Sequence, residues 1–377
     1  MIKNSFQYEL LKRITSDLTE YRANNVDRLR YPLGDVSALR KLAPRVSDFI
    51  HNSMAKLGWR RDNAYHKALM LKNLAELRPI LEGLEWLYQR LEDEVSKRTL
   101  VEVMAYRVLG CRHTRLSRCN TAFWQGVSDI QGRAMSVPHA ARMEILDGWL
   151  DDYDLTALGQ DVRLRAHKLN VLNTFVLEQY RFNEQGAPIV AAEPSDVVLD
   201  GGGCWGDTTL YFADRVGANG AVHVFEFSPA NLEVMRQNLD RNPKLKPRVH
   251  IHEEALWNVT GETLHFGEAG PATTLTAEGT GGLEATTRHV DSWAAADGGR
   301  HVDYIKLDVE GAEGRVLEGA RHTIQSQKPK LAVALYHSLA DFVTLPQVID
   351  QMLPEYHFYL GHYTIHAEET ILFATCE

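Results

Sequence analysis

From about residue 196 to the C-terminus, short apolar runs alternate with longer stretches of helical periodicity. DVVLD (196–200), AVHVFEF (221–227), RVHIHEEAL (248–256), DYIKLDV (303–309) and KLAVALY (330–336) are apolar or β-branched and read as buried strands. Strands separated by helices at this spacing predict a parallel sheet with crossover helices. The tail changes rhythm. YHFYLGHYT (356–364) and ETILFAT (369–375) are two strands with only a few residues between them, a hairpin that puts an antiparallel strand at the end of the sheet.

Residues 1–165 read as mostly helical. Met70, Leu74, Leu77, Leu81, Leu84, Tyr88 and Leu91 recur at alternating spacings of four and three, one apolar stripe along a helix. Pro79 interrupts the stripe and predicts either a kink or two helices meeting there. A further helix is predicted over about 95–109, closed by Gly110 as a left-handed cap. Segment 111–135 is weakly periodic and reads as connection, and HKLNVLNTFVLEQYRF (167–182) is an amphipathic lead into the second half. The expected organisation is a mainly helical domain, 1–165, followed by an α/β domain, 166–377.

Composition adds bounds. At 377 residues, with 44% hydrophobic and 24% charged, the chain suits two ordinary globular domains. The N-terminus has no apolar signal region and no run of about 18 apolar residues occurs, so a cytoplasmic chain without a membrane span is expected. Cys111, Cys119, Cys204 and Cys376 show no CxxC spacing, which suggests neither a zinc site nor a disulfide framework. Residues 1–165 hold 26 Lys and Arg against 21 Asp and Glu, a net of +5, and the remainder 15 against 29, a net of −14. An acidic second half disfavours a nucleic-acid partner.

The candidate chemistry begins at VVLDGGGCWGDTT (197–209), a buried strand running into a glycine loop that opens a helix. Gly201, Gly203 and Gly206 satisfy GxGxxG, and Glu226 lies 20 residues beyond Gly206 at the end of the next strand. By pattern alone, NAD and S-adenosylmethionine both fit. Asp200 separates them. A carboxylate just before the glycines would oppose a pyrophosphate, whereas S-adenosylmethionine has no phosphate and carries an ammonium and a sulfonium. Its carboxylate would take the loop N–H groups.

DGGGCWGDT, VFEFSP (224–229), EALWNVTGE (254–262) and IKLDVEGAEGRVLEGA (305–320) resemble the successive motifs of FkbM-type methyltransferases, over about 190–377. The resemblance implies a class I methyltransferase fold, a Rossmann-like, mostly parallel seven-stranded sheet whose last strand is antiparallel. Cys204 departs from the family, where asparagine would be expected. The resemblance implies a cofactor site of Asp200, Gly201, Gly202, Gly203, Trp205, Gly206, Asp207 and Thr208, with Glu226 on the ribose hydroxyls and Phe227 and Ser228 flanking ribose and adenine. Glu254 and Ala255 would read the adenine edge, with Glu253 as a competing register.

Asp308 ends the fourth strand, where it could bind the ammonium, position the acceptor or act as general base. Glu310 follows it as a candidate substrate contact, while Glu313 suits a helix N-terminus without catalytic duty. His337 follows the fifth strand at the same carboxyl edge, and an imidazole near pKa 6.5 is the natural base for an alcohol losing its proton. His362 and Tyr363 would reach this edge as further acceptor contacts. No Asp-Asn pair follows the fifth strand, which reads YHSLAD, so no metal is expected.

The function expected is S-adenosylmethionine-dependent O-methylation of a saccharide, glycolipid or other hydroxyl-bearing small molecule, with homo-oligomerisation left open. The rivals are an NAD-dependent oxidoreductase or epimerase using the literal GxGxxG loop, and a non-catalytic protein that keeps the cofactor pocket.

Overall fold

The computed structural model describes residues 5–19, 67–111, 113–143, 148–184, 187–267, 275–276, 282–296 and 299–377, so the helical expectation over 20–66 lies outside the described residues. The described residues fall into two compact units. One takes in residues before 89 together with 100–119 and 365–367, and the other takes in 89–99, 120–364 and 368–377. Among the described residues, no helix is long and apolar enough to cross a membrane.

The first unit contains α1, Phe6–Thr19, residues 81–88 of α2, Leu81–Arg90, and residues 100–109 of α3, Glu94–Leu109. Residues 67–77 are helical and meet α2 through a tight 3-10 turn, Arg78–Ile80. Pro79 therefore marks a junction of two helices, one of the two outcomes its geometry predicts. The stripe buries Leu77, Leu84 and Tyr88, while Leu74 stays 43% exposed. Gly110 closes α3 at φ +73°, its N–H donating to the Tyr106 carbonyl at 2.7 Å.

Residues 135–166 correct the helical expectation. Met135–Met143, Gly148–Asp154 and Arg163–Ala166 form a three-stranded antiparallel sheet in the second unit. Its alternation is obscured in the sequence because the first pairing is bulged and Val137 and Trp149 remain exposed.

The main sheet has seven strands: β1 Val197–Gly201, β2 Ala221–Phe225, β3 Val249–His252, β4 Tyr304–Leu307, β5 Lys330–Ala334, β6 His357–His362 and β7 Thr370–Thr375. Their order is β6-β7-β5-β4-β1-β2-β3. β5, β4, β1, β2 and β3 pair in parallel, and β7 runs antiparallel to both β5 and β6. This is the class I methyltransferase sheet. The antiparallel strand sits between β5 and β6, so β6 forms the edge. Every residue of β4 and β7 is buried, which is why both read as continuous apolar runs and not as alternation.

Strand order reverses between β1 and β4, the position where open α/β sheets bind ligands at their carboxyl ends. The register pairs Leu307 with Gly201, so the chain leaves both strands side by side. Helix α4, Asp207–Arg215, follows β1, and α5, Pro229–Asp240, follows β2. On α5, Asn238 and Asn242 act as peptide mimics for the small sheet. Asn238 accepts the Arg165 N–H at 2.6 Å and donates to the Arg165 carbonyl at 2.8 Å, and Asn242 does the same for Arg163 at 2.9 and 2.6 Å. Asn238 also donates to the Trp205 carbonyl at 2.9 Å, which ties this docking to the glycine loop.

Candidate active site

The loop after β1 is built around positions that accept no side chain. Gly202 has φ +81°, and a Cβ there would collide with the Asp308 carbonyl oxygen. A Cβ on Gly203 would strike Val224 and Met235 of the neighbouring strand and helix. Gly206, also in the left-handed region, caps α4. Cys204 adopts φ +45°, a conformation that asparagine tolerates better than most residues.

Four of the loop amides are engaged within the protein. Gly202 and Gly203 N–H both donate to the Phe225 carbonyl, at 3.0 and 3.2 Å, and Gly206 N–H donates to Gly203 at 2.7 Å. Cys204 N–H donates to Glu226 at 2.9 Å.

Asp200 is likewise not a free acid. It is fully buried, accepts the Thr208 and Thr209 hydroxyls at 2.9 and 2.7 Å, and pairs with Lys306 Nζ at 3.2 Å. Lys306, on β4, also donates to the Gly201 and Gly202 carbonyls at 2.9 and 2.7 Å. Burial opposes the ammonium charge, but Asp200, Asp308 and Asp207 outweigh it and hold Lys306 above its ordinary pKa. The Asp200 charge is thus paired beneath the loop.

The cavity lies beside this buried pair and encloses about 210 Å³. Gly202, Cys204, Asp207 and Thr208 form one wall, and Asn173, Thr174, Gln179 and Tyr180 another. Asp308, Glu310, Tyr336, Glu368 and Glu369 complete it. Asp308 is held by two phenols: Tyr180 donates at 2.8 Å, and Tyr336 at 2.8 and 2.9 Å to its two oxygens. Asp207 is buried at the start of α4, accepts the Thr174 hydroxyl at 3.0 Å, and is pushed up to about 6 by burial. Loss of water and the charge of Asp308 push Glu369 up to about 8, against the Gln179 amide that donates to it at 2.6 Å.

Three non-glycine residues on the cavity wall hold left-handed backbone: Cys204, Glu310 at φ +55° and Glu369 at φ +61°. Such conformations cost on the order of 1–3 kcal/mol each and persist where surrounding structure enforces them.

His337 lies directly after β5 and Tyr336, with three acids around its ring. Nε2 is 3.4 Å from both Asp308 and Glu310, and Nδ1 is 3.2 Å from Glu313. Burial works against the charged ring, but Glu310, Glu313 and Asp308 overcome it and push His337 up to about 11. At neutral pH the ring already carries the proton a general base would accept. It also stands outside the residues lining the cavity. The geometry places His337 as a charged partner of Glu310, Glu313 and Asp308, beside the cavity wall.

The remaining expected contacts are placed as follows. The Glu226 carboxylate accepts the N–H groups of Cys204, Phe227 and Ser228 and the Asn231 amide, so it braces the junction of loop and α5. Phe227 packs on Phe266, and Ser228 caps α5. Glu254 and Ala255 lie beyond the end of β3, Glu254 bound by Arg288 at 3.0–3.2 Å and Ala255 in a separate short strand. His362 meets Thr370 at 2.9 Å, and the Tyr363 hydroxyl donates to the Arg181 carbonyl at 2.9 Å. None of these lines the cavity. Sequence reasoning missed Lys306, Tyr180, Gln179, Tyr336 and Glu369. Only Lys306 left a signal, as a charge inside the apolar strand YIKL.

A parallel sheet with a glycine loop and an acid-lined cavity at its switch point defines an α/β nucleotide-cofactor site. Residues 153–360 match the Methyltransferase FkbM domain, and the chain belongs to that family. An FkbM methyltransferase from Methylobacillus flagellatus KT shares the fold at 18% identity and TM-score 0.50, over 80% of this chain and 60% of that one. The chain thus spans less than two thirds of that relative. Aeropyrum pernix fibrillarin, solved with bound S-adenosyl-L-methionine, aligns at 13% identity and TM-score 0.35 over 64% of this chain and 99% of its own. A precorrin-6y C5,15-methyltransferase from Geobacter metallireducens GS-15 aligns at 10% identity and TM-score 0.33 over 54% and 86%. The last two likenesses are too slight to bear on function. No curated protein matches the chain.

The cofactor of this family is S-adenosylmethionine, and the cavity suits it. Asp207, Asp308, Glu310, Glu368 and Glu369 face the space, while the single lysine of the wall has its head group committed to Asp200 and two carbonyls. An acidic cavity fits a ligand carrying ammonium and sulfonium charges and opposes a pyrophosphate.

Proposed function

We propose that the chain is an S-adenosylmethionine-dependent O-methyltransferase acting on a hydroxyl of a saccharide, glycolipid or related small molecule. The observation that carries the reading is the acidic cavity at the β1–β4 switch point, walled by the glycine loop of an FkbM domain. When bound, the cofactor supplies an electrophilic methyl group on a thioether leaving group.

The protein aligns the partners and manages one proton. Asp308, fixed by Tyr180 and Tyr336, holds the ammonium or the acceptor in place. Both of its oxygens already accept phenol hydrogen bonds, so its lone pairs are engaged in positioning. Glu310 stands next on the wall, and among the described residues its carboxylate meets only the His337 ring. Glu310 therefore takes the hydroxyl proton, and His337 orients it. Every cavity residue lies after 168, so residues 1–165 serve acceptor selection or assembly.

The test is incubation of the purified chain with S-adenosylmethionine and a panel of hydroxyl-bearing saccharides and glycolipids, read by mass spectrometry. Gain of one methyl on a hydroxyl supports the reading. Methylation only at nitrogen or carbon, or turnover of a nicotinamide substrate, overturns it.

A further inference from the structure

Asn173 lines the cavity from the turn Leu172–Val176, and its side-chain oxygen meets no donor although the residue is only 5% exposed. Its backbone is fixed, because the Asn173 carbonyl accepts the Gln179 N–H at 3.0 Å. A buried polar atom without a partner is costly, so the site calls for a donor from outside the protein. The stronger donors around it are already engaged. Tyr180 and Tyr336 donate to Asp308, Thr174 to Asp207, Thr208 to Asp200 and Gln179 to Glu369. Lys306 pairs with Asp200 and donates to two loop carbonyls. The wall therefore presents carboxylates and an amide oxygen, and among the described residues no uncommitted cation to meet a phosphate, sulfate or carboxylate.

We infer, resting on the methyltransferase reading of the cavity, that Asn173 and Asp207 hold a primary ammonium group of the acceptor. The hydroxyl that receives the methyl group then belongs to an amine-bearing saccharide. Thr174, the neighbour of Asn173, donates to Asp207 at 3.0 Å, which brings the turn and the start of α4 together here. Asp207 is 2% exposed and makes no ion pair among the described residues. A buried carboxylate without a counter-charge and an amide oxygen without a donor are answered by the same group. A primary ammonium carries three N–H donors and no acceptor, and its bonds to carboxylates are charge-assisted. The cofactor alone does not meet this demand. Its own carboxylate cancels one of its two positive charges, which leaves one for Asp207, Asp308, Glu310 and Glu368. His337 offsets charge on the side of Asp308 and Glu310. A neutral saccharide leaves Asp207 without a counter-charge, and an anionic one is repelled.

The test uses the full chain with S-adenosylhomocysteine and follows sugar binding by nuclear magnetic resonance titration. Methyl glucosides carrying one amine at each ring position in turn are compared with their N-acetyl and hydroxyl counterparts. At least one amine should bind about tenfold or more tighter than both counterparts. Asn173→Leu removes the acceptor without changing net charge. It should cut that preference to about threefold or less, with S-adenosylhomocysteine bound as before. If that variant does not fold, Asn173→Asp, which keeps the shape and adds a charge, should raise the preference, and an unchanged preference overturns the inference. Equal binding of amine and N-acetyl forms, no binding of any amine, or a preference that survives Asn173→Leu also overturns it. Loss of S-adenosylhomocysteine affinity in Asn173→Leu with the preference intact assigns Asn173 to the cofactor instead. Absence of S-adenosylhomocysteine binding in the parent chain sinks the methyltransferase reading, and the sugar comparison run without it still decides the ammonium subsite.

Discussion

Lys306 on β4 and Asp200 on β1 form an ion pair in which both side chains are all but excluded from water, and the same ammonium clamps two carbonyls of the glycine loop. Removing one member leaves the other charge buried and unpaired. Lys306→Met should therefore destabilise the chain by roughly 3–5 kcal/mol in chemical denaturation. The double change with Asp200→Leu should recover part of that loss, and a loss that adds instead would show that the pair is not the coupled unit.

Gly202 meets the Asp308 carbonyl so closely that no side chain fits without moving the loop or β4. Gly202→Ala should weaken S-adenosylhomocysteine binding by at least about tenfold, about 1.4 kcal/mol. Calorimetry with a thermal melt separates loss of the site from loss of the fold.

Glu369 titrates higher in the folded chain, at about 8, than an ordinary glutamate near 4.5. For an acid with a raised folded pKa, the folded state binds more protons within that window. Stability then falls as pH rises from about 4.5 to about 8. Glu369→Gln keeps an acceptor for the Gln179 amide and removes the titration. It should melt like the parent at pH 5 and be more stable by roughly 1 kcal/mol or more at pH 9. Parallel stability curves across that range would refute the assignment.

Glu310→Gln should lower turnover by at least about 10²-fold with cofactor affinity nearly constant, the signature of lost proton transfer. Asp308→Asn should damage cofactor affinity as well as turnover. If Glu310→Gln leaves turnover intact while Asp308→Asn abolishes it with binding unchanged, the two roles exchange.

Much of the sheet was legible because buried parallel strands announce themselves as apolar runs. DYIKLDV and ETILFAT correspond to β4 and β7, and GGGCWG to the loop. The cavity was only partly legible. Residues 167–182 read as an amphipathic stretch, yet within it a short helix and a π-turn, Lys168–Val171 and Leu172–Val176, set Asn173, Thr174 and Tyr180 on the cavity wall. Asp200 looked like a ligand because its partner lies 106 residues away in the sequence, and only strand pairing brings Lys306 beneath it. The surroundings of His337 were hidden for the same reason. Asp308, Glu310 and Glu313 were visible one by one, but their convergence on one ring is a property of the folded edge.

The central claim is that this acidic cavity receives the sulfonium cofactor and not a dinucleotide. Isothermal calorimetry on the purified full chain tests it most directly. S-adenosylmethionine and S-adenosylhomocysteine should bind in the micromolar range, roughly −8 kcal/mol, with no heat from NAD. Tight binding of NAD with no binding of either sulfur compound would contradict the account.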